Sequence, residues 1–261
     1  MIFVKFKSDN NTLLSMNKNS IKKAIKFVIP SGLVEIWHKR FHGKNNSQIE
    51  RIKKRIKYNK EGNQDIDIYW DDEFVEILDS WGTDNAWLEI QLLLANCKGK
   101  VLDIACGSAP VLEICKDFRN IELYGCDISD KLIARAHELR GIPKEKLLIT
   151  DATKMDYDDD EFNYSYSIGS LEHFTEEGID QVIAESYRVT KYGSFHMLPT
   201  NEKGENEGWI SPLQSYHNNS INWWLGHFKK KYDTVIVVKS KWHDQGRSFG
   251  HWFLCYKNLP A

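Results

Sequence analysis

A doubly wound α/β sheet of seven strands, the last of them antiparallel, is the fold this 261-residue sequence predicts. Three observations predict it. Short apolar runs alternate with helical patterns from Lys100 onward, and two strand-like runs stand side by side near the end of the chain. Hydrophobic residues make up 41% of the whole, enough for a large buried core.

The first 65 residues differ from the rest in charge. Residues 1–60 hold 15 Lys and Arg against the acids Asp9, Glu35 and Glu50, whereas the remainder holds 20 basic against 34 acidic residues. The net charge of −2 therefore hides a basic arm on an acidic body, and such an arm suits an anionic partner. Within it Ile21, Ala24, Ile25 and Val28 recur at helical spacing, with Lys22, Lys23 and Lys26 on the other side, Ser20 as cap and Pro30 as stop. Ile49, Ile52 and Ile56 repeat the pattern among Arg51, Lys53, Lys54, Arg55 and Lys57. Helices of this kind lie on an anionic membrane surface or dock their apolar face on a domain, and the sequence leaves both readings open. The polar stretch 59–65 reads as the joint, which gives a basic helical extension over 1–65 and a domain over 66–261.

In the body, 86–94 reads as a buried helix. Strand-like runs follow at 100–105, 121–126, 147–150, 162–168 and 193–198, with helical patterns at 111–118, 131–140 and 177–189 between them. That alternation means parallel strands covered on both faces. A helix near 221–231 then precedes runs at 234–242 and 251–257, which Asp244-Gln245-Gly246-Arg247 joins as a hairpin. The five cysteines contain no C-x-x-C pair, so reduced thiols in a cytoplasmic protein are expected, without zinc or a disulfide framework. No apolar run approaches the roughly 18 residues of a membrane span, and no signal-peptide pattern opens the chain.

The motif with most chemical content is Val101-Leu102-Asp103-Ile104-Ala105-Cys106-Gly107-Ser108-Ala109, an apolar strand running into small residues and a helix. Small residues admit a ligand close to the backbone, and the helix start offers free N–H groups at the sheet edge where open α/β folds bind ligands. Asp127 ends the second strand, placed to accept both hydroxyls of a ribose. Asp151-Ala152 follows the third strand, where a carboxylate accepts from an adenine amine. A nicotinamide-binding oxidoreductase would need G-x-G-x-x-G here, and the loop holds one glycine, Gly107.

Over about residues 80–257 the sequence resembles the class I S-adenosylmethionine-dependent methyltransferases, with their Rossmann-like sheet. The first motif is similar to that family's D-x-x-C-G-x-G loop, and Asp127 and Asp151-Ala152 to its ribose acid and adenine-side pair. The stretch from Phe162 to Ser170-Leu171-Glu172-His173 is similar to its fourth strand with an L-E-H ending, and Tyr187-Arg188-Val189-Thr190-Lys191-Tyr192-Gly193 to its R-V-L-K-P-G-G turn. Ala109 stands where the last loop glycine is usual and Tyr192 where proline is usual.

The resemblance implies S-adenosyl-L-methionine as cofactor, contacted by Trp81, Asp103, Ala105, Gly107, Asp127, Ile128, Asp151, Ala152 and Ile168. It implies methyl transfer to an acceptor, and for a hydroxyl acceptor a histidine is the natural base: His173 first, then His196 and His217. Residues 200–220 make a long connection suited to a lid or acceptor site, with Trp209, Trp223, Trp224 and Trp242 as an aromatic wall or as core. The acceptor expected is a glycan or lipid-linked sugar of surface polysaccharide, with a small-molecule metabolite and a catalytically silent scaffold as alternatives. The body shows no basic patch with interleaved aromatics, so nucleic acid is not expected as a partner. The cysteine set points to the cytoplasm, and the membrane-surface reading of the arm adds peripheral contact at the inner face of the membrane.

Overall fold

The computed structural model describes residues 66–79, 82, 85–210, 214–244 and 246–257. The helices read in the basic arm, the joint and Trp81 lie outside the described residues.

Seven strands form one sheet: β1 (Gly99–Ile104), β2 (Ile121–Asp127), β3 (Leu147–Ile149), β4 (Phe162–Ile168), β5 (Thr190–Asn201), β8 (Thr234–Asp244) and β9 (Ser248–Tyr256), in the order β3-β2-β1-β4-β5-β9-β8. The first five are parallel, and β9 runs antiparallel to both of its neighbours, β5 and β8. A separate two-stranded ladder joins β6 (Trp209–Ile210) to β7 (Tyr216–His217). The helices are α1 (Asp72–Leu78), α2 (Ala86–Leu94), α3 (Pro110–Ile114), α4 (Asp130–Arg140), α5 (Glu176–Val189) and α6 (Ile221–Phe228).

Side chains alternate across the sheet with the strand period of two. Leu102 and Ile104 of β1 and Leu198 of β5 pack with Ile179, Val182 and Ile183 of α5 and with Trp224 and Phe228 of α6. Val101, Phe195 and Met197 point the other way, against Trp87, Ile90 and Leu94 of α2 and Val111 of α3. Helix boundaries follow local chemistry. Ser129, Thr175 and Ser220 cap α4, α5 and α6 by accepting the N–H of Leu132, Gly178 and Trp223, and Gly141 ends α4 in the left-handed region.

Helix α2 and strand β5 depart from the sequence reading. Helix α2 is not buried all round: Ala86, Trp87, Ile90 and Leu94 are buried, while Leu88 and Leu92 form an exposed i, i+4 stripe. Strand β5 runs six residues longer than the expected 193–198, because β4 pairs with it from Thr190 to Met197 and β9 from Gly193 to Asn201. Pro199 is tolerated in β5 because it lies beyond the end of β4.

Candidate active site

A cleft of about 370 Å³ opens at the C-terminal ends of β1, β2, β3 and β4. Its floor is the β1–α3 loop, in which Ala105, Gly107 and Ala109 all adopt positive φ (56°, 57° and 56°). For the two alanines this conformation costs roughly 1–2 kcal/mol each. Ala109 thus keeps the left-handed backbone that a glycine would adopt more easily. Gly125, on β2 behind the loop, has no room for a side chain, since a Cβ would lie 2.9 Å from Cys106 Sγ.

Asp127 ties two loops together. Its Oδ2 accepts from Gly107 N and its Oδ1 from Ser129 N, both at 2.9 Å, and burial pushes its carboxyl pKa up against these two bonds. It is not the cap of α4, because Ser129 fills that position. Asp103 is buried on the same floor and accepts from Tyr166 Oη at 2.9 Å, and burial raises its carboxyl far above the usual carboxylate range. Asp151 is exposed at the far end, where its Oδ1 accepts from Thr153 N and Oγ1.

The structure brings Asp103, Ala105, Gly107, Asp127, Ile128, Asp151, Ala152, Ile168 and His173 to this one cleft. It does not bring His196 or His217. His196 faces α6 because it alternates with Phe195 and Met197, and it is fully buried against Phe228. Ser167 Oγ and Ser194 Oγ occupy its two ring nitrogens at 2.8 Å each, and burial pulls its pKa down to about 3. An acceptor therefore has no access to it. His217 lies on β7 between the rings of Trp209 and Trp223, 4.8 and 5.1 Å away, outside the cleft lining. The expected wall of four tryptophans does not assemble. Trp224 is core, as one reading had it, and Trp242 packs on the opposite face of the sheet.

His173 sits in a single 3-10 turn, Leu171–His173, directly after β4. Its Nδ1 lies 2.6 Å from the carbonyl of Ser215. A carbonyl only accepts, so Nδ1 carries the proton and Nε2 is left with its lone pair. Burial, first of all, holds the His173 pKa down to about 4, so the ring is neutral at pH 7.

Several cleft residues carried no signal in the sequence. Ile66, Tyr69 and Leu78 from the segment before α2 line it, as do Phe174, Thr175, Gly178 and Gln181 at the start of α5, and Gln214 beside β7. Tyr69 and Gln214 meet, Gln214 Nε2 donating to Tyr69 Oη at 2.8 Å. The segment 66–79 is held down by Ser129 Oγ donating to Tyr69 O at 2.9 Å and by Trp70 Nε1 donating to Asp130 Oδ1 at 2.9 Å. Asp79 accepts from Ser108 Oγ in the loop at 2.5 Å and from Arg135 Nε and Nη2 at 2.8 and 2.6 Å. These contacts join residues some 30 to 145 positions apart, which no local pattern announces. The expectation that 200–220 supplies an acceptor-side element rests now on two contacts, through Gln214 and Ser215.

In solved structures the same fold recurs. A protein of Pyrococcus horikoshii OT3 is 22% identical, over 64% of this chain and 86% of that one, with a TM-score of 0.51. An S-adenosylmethionine-dependent methyltransferase of Methanosarcina mazei is 16% identical over 62% and 93%, also at 0.51. The phosphoethanolamine N-methyltransferase 2 of Haemonchus contortus, solved with phosphomonomethylethanolamine and S-adenosylhomocysteine, is 14% identical over 66% and 52%, at 0.51. No curated protein sequence matches the chain. Residues 101–193, which carry every strand end that opens onto the cleft, match the family model of a methyltransferase domain. On these grounds residues 101–193 form a methyltransferase domain, and the solved structures share its fold.

Proposed function

We propose that the enzyme methylates a hydroxyl of an uncharged acceptor, a sugar of a glycan or of a lipid-linked precursor of surface polysaccharide. One observation carries this reading. Among the described residues that line the cleft there is no Lys or Arg, and its non-loop end offers Tyr69, Ser170, His173, Thr175, Gln181 and Gln214. An anionic acceptor would call for a cationic clamp, whereas neutral amides and hydroxyls suit sugar hydroxyls.

The cofactor fits the other end. Asp127 would hold the ribose hydroxyls, each of its oxygens having one lone pair beyond its backbone bond. Asp151 and Ala152 would flank the adenine with Ile128, and Asp103, Ala105, Gly107 and Ile168 would line the methionine side. The bound cofactor supplies a methyl group already activated as a sulfonium. The chain must then align the acceptor, exclude water and take one proton. His173 is the base, because of the three candidate histidines it alone lines the cleft, and its Nε2 is free to accept.

The test is methyl transfer from radiolabelled S-adenosylmethionine to alkyl glycosides and to sugar 1-phosphates, followed by S-adenosylhomocysteine release. Neutral glycosides should be preferred, and His173→Ala should slow transfer about 10²- to 10⁴-fold with unchanged S-adenosylhomocysteine affinity. Transfer to phosphorylated sugars alone, or unaltered turnover in the variant, would overturn the assignment.

The basic residues 1–60 supply the membrane side of this reading, since each Lys or Arg near an anionic leaflet contributes about 1 kcal/mol. No helix among the described residues is long and apolar enough to cross a membrane. The full chain should sediment with phosphatidylglycerol-containing vesicles at low salt and leave them at high salt. Failure to bind at low salt would remove the membrane contact.

A further inference from the structure

Glu172 precedes the proposed base and is not among the cleft-lining residues. It is 5% exposed, yet its Oε2 is a buried oxygen without a hydrogen-bond partner. Its other oxygen, Oε1, lies 3.7 Å from Nε2 of His173, the ring nitrogen that the Ser215 contact leaves unprotonated. A buried carboxyl with one oxygen unpartnered is costly to keep, and packing alone would favour an apolar side chain here.

We infer that Glu172 is a positioning residue for methyl transfer, its carboxylate supplying the counter-charge that lets buried His173 carry the acceptor's proton. The inference rests on the reading of His173 as base. In the step, the hydroxyl proton passes to Nε2, the oxygen's electron pair forms the C–O bond, and the C–S pair leaves with sulfur. The ring becomes an imidazolium in a site that disfavours lone charge, and pairing with Glu172 makes the two residues neutral together.

Around the pair stand few titratable groups. Tyr216 on β7 is edge-on to His173 at 6.4 Å between ring centroids, and its hydroxyl meets Ser248 Oγ at 3.2 Å. Asp244 and Arg247 act on that phenol from the β8–β9 turn, and His217 acts on His173 from β7. Arg247 is the one permanent cation among them, and it acts on Tyr216 rather than on Glu172. Burial pushes its carboxyl up to about 8, so it is mostly protonated at pH 7 and ionises as the pH rises through that value. The counter-charge is then present above about pH 8 and lost below it.

The test reads His173 directly, without an acceptor. Ring ¹⁵N spectra of the full chain, labelled at histidine and saturated with S-adenosylhomocysteine, should show a step in the His173 Nε2 shift near pH 8 that Glu172→Gln abolishes. Methyl transfer should rise through the same range in the wild type and be about tenfold or more slower, without that limb, in Glu172→Gln. Identical spectra and profiles in the two proteins would overturn the proposal. If Glu172→Gln does not fold, judged by thermal melting and cofactor affinity, the absence of a wild-type step is by itself decisive against it. A missing step with His173→Ala still inactive would remove Glu172 and leave the base. Normal turnover in His173→Ala would remove both.

Discussion

Asp127→Ala is expected to weaken S-adenosylhomocysteine binding by about 2–3 kcal/mol, as for loss of hydrogen bonds to a charged group. The structure gives this substitution two routes to the same result. It removes the carboxylate proposed to hold the ribose, and it strips the backbone N–H groups of Gly107 and Ser129 of their acceptor. Asp127→Asn separates the routes in part. An amide keeps a single acceptor oxygen, so it can serve one of those N–H groups while turning its own N–H against the other. Calorimetric titration of both variants checks the expectation, and unchanged affinity in Asp127→Ala would place the ribose elsewhere.

Trp224→Ala should cost about 3–5 kcal/mol of stability, the range for truncating a large buried aromatic. Trp224 is a fully buried residue of α6, edge-on to Trp223 at 4.8 Å, and its Nε1 donates to Pro199 O at 3.2 Å. Truncation would open a cavity between α6 and β5 and remove the indole hydrogen bond to that carbonyl. The midpoint of urea unfolding should fall with little change in slope. A loss below about 1 kcal/mol would mean that the face closes by local collapse.

Strand and helix periods made most of the sheet readable from sequence. The 162–168 run is strand β4 to the residue, because Phe162, Tyr164, Tyr166 and Ile168 alternate with Asn163, Ser165 and Ser167 over its whole length. Strand β5 was readable only in its middle, since Thr190-Lys191-Tyr192 and Pro199-Thr200-Asn201 lack alternation and owe their strand form to pairing. Helix α3 ends at Ile114, four residues before the expected stop. The strand-end carboxylates of the cleft were legible because a fold fixes the strand ends, and sequence marks where strands end. Tyr69, Gln181 and Gln214 were not, because their place depends on how distant segments close over the sheet. His196 shows the converse: it has the right residue type in the right strand, but the period of two turns it to the wrong face.

The place of β9 has a consequence for how the chain is made. It lies between β5 and β8, so while residues 202–247 are still being added β5 has one open edge. That edge carries the N–H and C=O groups that Gly193 to Asn201 will later share with β9, next to Phe195, Met197 and Leu198. At about 5–20 residues per second the ribosome leaves it open for seconds, a template for pairing with other chains. Only when β9 has been added can that edge close, so truncations before residue 248 should leave the nascent protein prone to aggregate.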